Sequence, residues 1–172
     1  MIEYLWRPLS AISLSLLLGV VQASVFCSDQ IAATAPDSRY QDNGDGTVTD
    51  LVTGLIWKQC AEGMSGAGCA SGSVETFNWQ KALQRAEDSN FAGSSDWRLP
   101  NKNELASLVE RRCFGSAINE SYFPNTPYSG SFWSSTPYNS PYFVWYVDFR
   151  YGLVSHDTKI DNNYVRLVRA GQ

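Results

Sequence analysis

Eight consecutive residues, Trp97-Arg98-Leu99-Pro100-Asn101-Lys102-Asn103-Glu104, constrain the fold more than any other stretch. Pro100 has no amide hydrogen for a ladder, and its ring pushes Leu99 into extended geometry. Asn101 is placed to cap the turn that follows. Glu104 stands three residues on, where the carboxylate of a capping box belongs. The segment reads as the end of a strand running into the start of a helix. It marks a structural junction and carries no catalytic group.

On either side of that junction the apolar spacing is helical. Trp79, Ala82, Leu83 and Ala86 fall at i, i+3, i+4 and i+7, which predicts a first helix from about Asn78 to Asp88, with Asn78 as its cap. Leu105, Leu108 and Val109 predict a second, from about Lys102 to Arg112. Before the helices, Thr47-Val48-Thr49 and Leu55-Ile56-Trp57 read as short strands of a meander behind the turn Asp42-Asn43-Gly44-Asp45-Gly46. Residues 61–74 form a loop of small residues, and Phe114 to Gly130, with Pro124 and Pro127, is long and irregular. Phe132 to Thr136, Val144 to Tyr151, Val154 to Lys159 and Tyr164 to Arg169 read as strands, the last with period-two alternation. Two early helices and several late strands, with no βαβ rhythm, predict an α+β fold with an antiparallel, twisted β-sheet.

The N-terminus carries Arg7, then an almost wholly apolar run from Ala11 to Val21, then small residues up to Ala23. This is the layout of a secretory signal over residues 1–23, with cleavage after Ala23. The run is short for a membrane span. An uncleaved anchor and lipidation at Cys27 are the weaker alternatives, because Glu3 is atypical of a signal and Phe26 stands where lipidation wants a small residue. Residues 24–38 read as an arm and residues 39–172 as the domain, a size with room for one core. The expected location is outside the cytoplasm: periplasmic, secreted or on the cell surface.

All four cysteines follow the cut, and an even count in an exported chain favours disulfides over free thiols. Four cysteines allow three pairings. Cys60 and Cys69 flank a Gly-rich loop and form the natural local pair, leaving Cys27 with Cys113, a bridge that would tie the arm to the second helix. These spacings do not fit a zinc site.

The formal net charge of −4 argues against nucleic acid as a partner. Arg111, Arg112, Arg150, Lys159, Arg166 and Arg169 are concentrated late in the chain, as scattered surface charge with one or two structural arginines among them. Six Trp, nine Tyr and eight Phe make the chain aromatic-rich. Trp57, Trp79, Trp97, Trp133 and Trp145 fall where side chains look inward. Tyr128, Tyr138 and Tyr142 lie in Pro/Ser/Asn loops, where exposed rings make a binding surface.

Enzymatic motifs are weak. Placing Gly46 on the glycine of an EF-hand loop puts Gln41 at position 1 and Val52 at position 12, so the bidentate acid is missing. A hairpin turn explains Asp42 to Asp50 more simply, with a non-EF calcium site as the alternative. His156, the only histidine, reads as a solvated residue on a hairpin arm. Ser134-Ser135-Thr136 lacks the elbow of a nucleophilic serine. Glu104 and Glu110 are acid–base candidates by type only, and read as cap and surface residues. No metal or cofactor is implied.

Taken together, Asn43-Gly44-Asp45-Gly46-Thr47-Val48-Thr49-Asp50, Thr53-Gly54-Leu55-Ile56-Trp57, Trp79 with Ala82, Trp97-Arg98-Leu99-Pro100-Asn101 with Glu104-Leu105, Phe123-Pro124-Asn125-Thr126, Phe132-Trp133-Ser134-Ser135-Thr136 and Val165-Arg166-Leu167-Val168-Arg169 resemble the Lcl C-terminal domain family, also known as DUF1566. The resemblance spans about residues 39 to 170. It implies a bacterial exported or surface protein with a C-type-lectin-like domain, and, through the family's namesake, binding of sulfated glycosaminoglycans. This chain lacks a collagen-like stalk and the Glu-Pro-Asn signature of calcium-dependent sugar lectins.

The expectation is therefore a non-enzymatic exported binding module, an adhesin for glycans or envelope polymers. Arg111, Arg112, Arg150 and Lys159 are the candidate cations for sulfate or carboxylate groups, and Tyr138 and Tyr142 the candidate ring platforms. A structural protein that binds an envelope partner is the alternative, and an enzyme on a lectin-like scaffold a more distant one.

Overall fold

The computed structural model describes residues 26–171, so the signal peptide read at residues 1–23 lies outside the described residues. The elements are β1 (Phe26–Cys27), β2 (Tyr40–Asp42), β3 (Thr47–Asp50), β4 (Leu55–Lys58), β5 (Met64–Ser65), β6 (Ser71–Gly72), α1 (Trp79–Glu87), α2 (Lys102–Ser107), β7 (Cys113–Phe114), β8 (Phe132–Pro137), β9 (Phe143–Asp148), β10 (Leu153–Thr158) and β11 (Val168–Ala170). They form a mixed α+β fold in which every ladder between strands is antiparallel. A four-stranded sheet runs β11-β4-β3-β2 and a three-stranded sheet runs β10-β9-β8. Two ribbons, β1-β7 and β5-β6, flank them.

The local signals explain most of the elements. Asn78 caps α1 by accepting from the Lys81 amide (2.9 Å). At α2 the Asn101 side chain accepts from the Glu104 amide (2.9 Å), and the Glu104 carboxylate accepts from the Asn101 amide (2.7 Å), completing the capping box. Arg98 donates both terminal nitrogens to that carboxylate, which holds it below the usual carboxyl range. In the β2–β3 turn, Asp42 accepts from the Gly44 amide (2.8 Å) and Asp45 from the Thr47 amide (3.0 Å).

Adjacent residues diverge into two cores, as period-two geometry requires. Phe132, Trp57 and Val168 enter one cluster with Leu105 and Leu108. Their neighbours Trp133, Ile56 and Leu167 enter the other with Ala82 and Ala86 of α1. Trp57 and Trp133 are fully buried. Truncating either to Ala costs about 3–5 kcal/mol.

Three expectations are corrected. The second helix ends at Ser107, not Arg112, because Arg39 takes the Ser107 carbonyl (2.7 Å) and Val109 and Glu110 turn to pair with Ala117 and Ile118. Glu110 is buried instead of lying on the surface. Its carboxylate accepts from the amides of Thr34 (3.1 Å), Ala35 (3.0 Å) and Arg112 (3.2 Å), and so clamps the N-terminal arm. The last strand pairs only over Val168–Ala170, while Tyr164 to Leu167 crosses between the sheets. Tyr164 bonds to Ser131 and Trp133 beside the three-stranded sheet; the Val165 and Leu167 carbonyls accept from Glu62 and Lys58 at the edge of the other.

Arg166 explains that departure. It is fully buried and donates to the carbonyls of Lys58 and Gln59 and to Thr126 Oγ1, with its guanidinium over Phe123 (5.0 Å). Burial pushes its pKa down to about 9, opposed by Glu62, so it stays charged at neutral pH.

Both disulfides are those expected, Cys27–Cys113 and Cys60–Cys69. Cys113 lies in β7 opposite Cys27, not in the second helix, so the first bridge rivets a two-stranded ribbon. The two bridges are consistent with an oxidising, extracellular environment. No helix among the described residues is long and apolar enough to cross a membrane.

Candidate functional site

A cleft of about 690 Å³ opens between the β2–β3 turn, the end of β4, the loop closed by Cys60–Cys69 and the face of α1. This volume lies within the range of small-molecule sites. Its floor is an ion-pair triad. The Glu62 side chain, 3% exposed, accepts from Lys58 Nζ (2.8 Å) through one oxygen and from Arg85 Nε (2.7 Å) through the other. Backbone bonds fix Glu62 in place: its amide donates to Val165 and its carbonyl accepts from Glu75. Lys58 also lies over the Phe91 ring (4.7 Å), which forms the apolar wall.

Two glycines make the shape possible. A Cβ on Gly46 would meet the Phe91 ring at 2.9 Å, and one on Gly63 would meet the Ser73 carbonyl at 2.3 Å. Both have positive φ, so side chains are excluded by conformation as well as by space.

The chemistry on offer is mixed. Arg85 lines the cleft with its side chain 46% exposed and is committed only through Nε among the described bonds, which leaves its terminal amines available. Asp42 and Asp45 each spend one oxygen on the turn and stand at the rim with Glu75. Donors below, acceptors at the rim and one aromatic wall suit a ligand carrying many hydroxyl groups.

None of the residues singled out from the sequence as ligand-binding lines this cleft. They divide between the two ends of the β9–β10 hairpin. Arg150 is exposed in its turn, over Tyr151 (5.0 Å). The Gly115 amide donates to the Arg150 carbonyl, and Ser28 donates to that of Arg112, so Arg150, Arg111 and Arg112 share one end. Arg112 pairs loosely with Glu110 (3.7 Å). Lys159 and Tyr142 occupy the other end, joined by a backbone bond of 2.9 Å. Six residues of strand separate the two, about 17 Å. The four cations therefore do not converge.

At the Lys159 end, Tyr142 is 72% exposed, and Lys159 and Lys102 lie over the half-buried rings of Trp79 (4.9 Å) and Trp145 (4.5 Å). Tyr138 packs on His156 (4.0 Å) and Trp145 (4.9 Å). His156 is thus a half-buried member of an aromatic cluster, not the solvated residue expected, because the β9–β10 register sets it opposite Trp145. Nearby, burial and the hydrogen bond to Asp161 hold Asp157 above the usual carboxyl range. Among the described residues no three His, Cys, Asp or Glu side chains gather as a metal site would.

The model of the Lcl C-terminal domain family matches residues 46–169, most of the chain. The chain belongs to that family. The match takes in the floor of the cleft, α1, the capping box and the crossing segment, so the Lcl C-terminal domain contains nearly all of the framework described above. No protein of curated function matches the sequence. Lys58, Glu62, Arg85 and Phe91 of this Lcl C-terminal domain carry no spacing signal in the sequence. The turn Asp42 to Gly46 at the cleft's rim and the Gly-rich loop closed by Cys60 and Cys69 are its parts that the sequence makes conspicuous.

Proposed function

We propose that this chain is an exported, non-enzymatic module that binds a polysaccharide in the Cys60–Cys69 cleft, on a C-type-lectin-like scaffold. The signal-like N-terminus and the two disulfides support export. The observation that carries the binding role is Arg85: Glu62 holds it through Nε, it lines the cleft with Phe91, and its terminal amines carry no bond among those described. A sugar ring presents hydroxyls to such donors and to the rim carboxylates, and an apolar face to an aromatic wall. Four carboxylates against two cations in the lining make a hydroxyl-rich or amine-bearing sugar a better fit than a polysulfated one. The triad's charges are spent on one another, which fits a site that holds a ligand without reacting with it.

A screen of the protein against immobilised neutral, amino and sulfated glycans tests this reading. The expected result is retention on hydroxyl-rich or amino glycans, weakened about tenfold or more by Arg85→Ala, with the folded spectrum unchanged. Absence of retention on every glycan at low salt overturns it.

A further inference from the structure

The end of the hairpin that carries Arg150 brings exposed rings and cations together. Phe26 and Phe114 stack with ring centroids 5.5 Å apart, yet are 58% and 52% exposed. Tyr151 is 51% exposed, under the Arg150 guanidinium. Backbone bonds place these groups together: Phe26 pairs with Phe114 across the ribbon, and Gly115, the next residue, donates to Arg150 (2.7 Å). Arg111 and Arg112 form the turn just before Cys113 and add two more cations to a chain that is acidic overall. Of the nearby carboxylates, Glu110 is buried under the arm and Asp148 is turned back to the Arg150 amide (2.6 Å), while Asp29 is exposed, as are Asp37 and Glu120, which line a hollow with Arg112 and Cys113.

From these facts we infer that this end is a docking surface for a bilayer of anionic phospholipid. Rings that expose an apolar body, set among arginines, are the side chains that settle at the headgroup level of a membrane. The exposed rings decide between lipid and a soluble polyanion. A sulfated polymer would use the arginines and leave two exposed phenylalanines unexplained. If the chain is cut after Ala23, the new amine at Ser24 adds a further positive charge two residues from Phe26.

Vesicle flotation of the exported protein tests the inference, with phosphatidylcholine vesicles alone or containing phosphatidylglycerol, at 0.05 and 0.15 M salt. The protein should float with the anionic vesicles and much less with the neutral ones. Arg111→Gln with Arg150→Gln should weaken partitioning about thirtyfold, about fivefold per cation. Phe26→Ser with Phe114→Ser should weaken it about tenfold or more. All four positions are exposed, and thermal melts and intact-mass measurement of both disulfides confirm that the variants fold. Parent and variants are compared with the same N-terminus, read by intact mass, so flotation driven by residues before Phe26 would survive the substitutions. Flotation unchanged in both variants, equal on neutral and anionic vesicles, or absent, overturns the inference. So does loss of dextran-sulfate binding in the arginine variant without any vesicle binding by the parent, which would make the patch a polyanion site. The glycan screen reads Arg85 and the cleft, so either result can fail without the other.

Discussion

The seam that holds the N-terminal arm and the cleft beside α1 are built from the same parts, a disulfide and an arginine–carboxylate pair, and they use them in opposite ways. In the seam, Arg39 grips Asp50 through two nitrogens and spends its remaining donors on the Ser107 carbonyl and hydroxyl and on Thr34. Both side chains are nearly inaccessible, 9% and 0% exposed. In the cleft, Arg85 makes one bond to Glu62 and leaves the rest of its fork open, 46% exposed. A guanidinium whose donors are all taken is a structural tie; one that is oriented but unfinished is an invitation to a ligand.

The contrast is sharpest in the disulfides. Cys27–Cys113 closes 86 residues of chain and Cys60–Cys69 closes 9. Loop-closure entropy predicts a loss of about 4.5 kcal/mol for Cys27→Ser with Cys113→Ser, against about 2.5 kcal/mol for Cys60→Ser with Cys69→Ser. Urea titrations read both, and equal losses would break the assignment of the seam as the main fastening. The ion pairs should differ in the same direction. Asp50→Asn leaves Arg39 without its buried partner and should cost about 3 kcal/mol. Arg85→Ala, at a half-exposed pair, should cost less than about 1 kcal/mol. A calorimetric melt of each variant separates these outcomes.

Acid should loosen the seam. Burial pushes the carboxyls of Asp50 and Glu110 up, but hydrogen bonds outweigh it: from Arg39, Thr53 and Val52 for Asp50, and from the Ala35, Thr34 and Arg112 amides for Glu110. Both end below their ordinary values. The folded chain therefore binds these protons less tightly than the unfolded chain. Their stabilisation is complete above about pH 5 and is lost as pH falls through the unfolded and then the folded values. Glu110→Gln should flatten the decline in stability between pH 7 and 3, read from urea midpoints. An unaltered slope would remove Glu110 as the acid-sensitive clamp.

How much could be read from the sequence follows the range of the interactions. The Asn101–Glu104 box and the Asn78 cap were legible because each closes over three residues. The length of α2 was not, because the arginine that takes its last carbonyl lies 68 residues away. Arg166 was misleading for a related reason. Alternation in Val165 to Arg169 points its side chain toward solvent, whereas carbonyls from Lys58 and Gln59, more than a hundred residues earlier, hold it inside. The cleft was hidden most completely. Its floor joins the end of β4, a loop and α1, and nothing in the spacing of Lys58, Glu62 and Arg85 announces that they meet.

The crossing stretch Tyr164 to Leu167 bonds to both sheets and lies within the final nine residues of the chain. Every described element except β11 precedes it. A chain that has emerged only as far as Thr158 has all of its other strands and both helices but no keystone, and its two halves stay pliant until the crossing stretch follows.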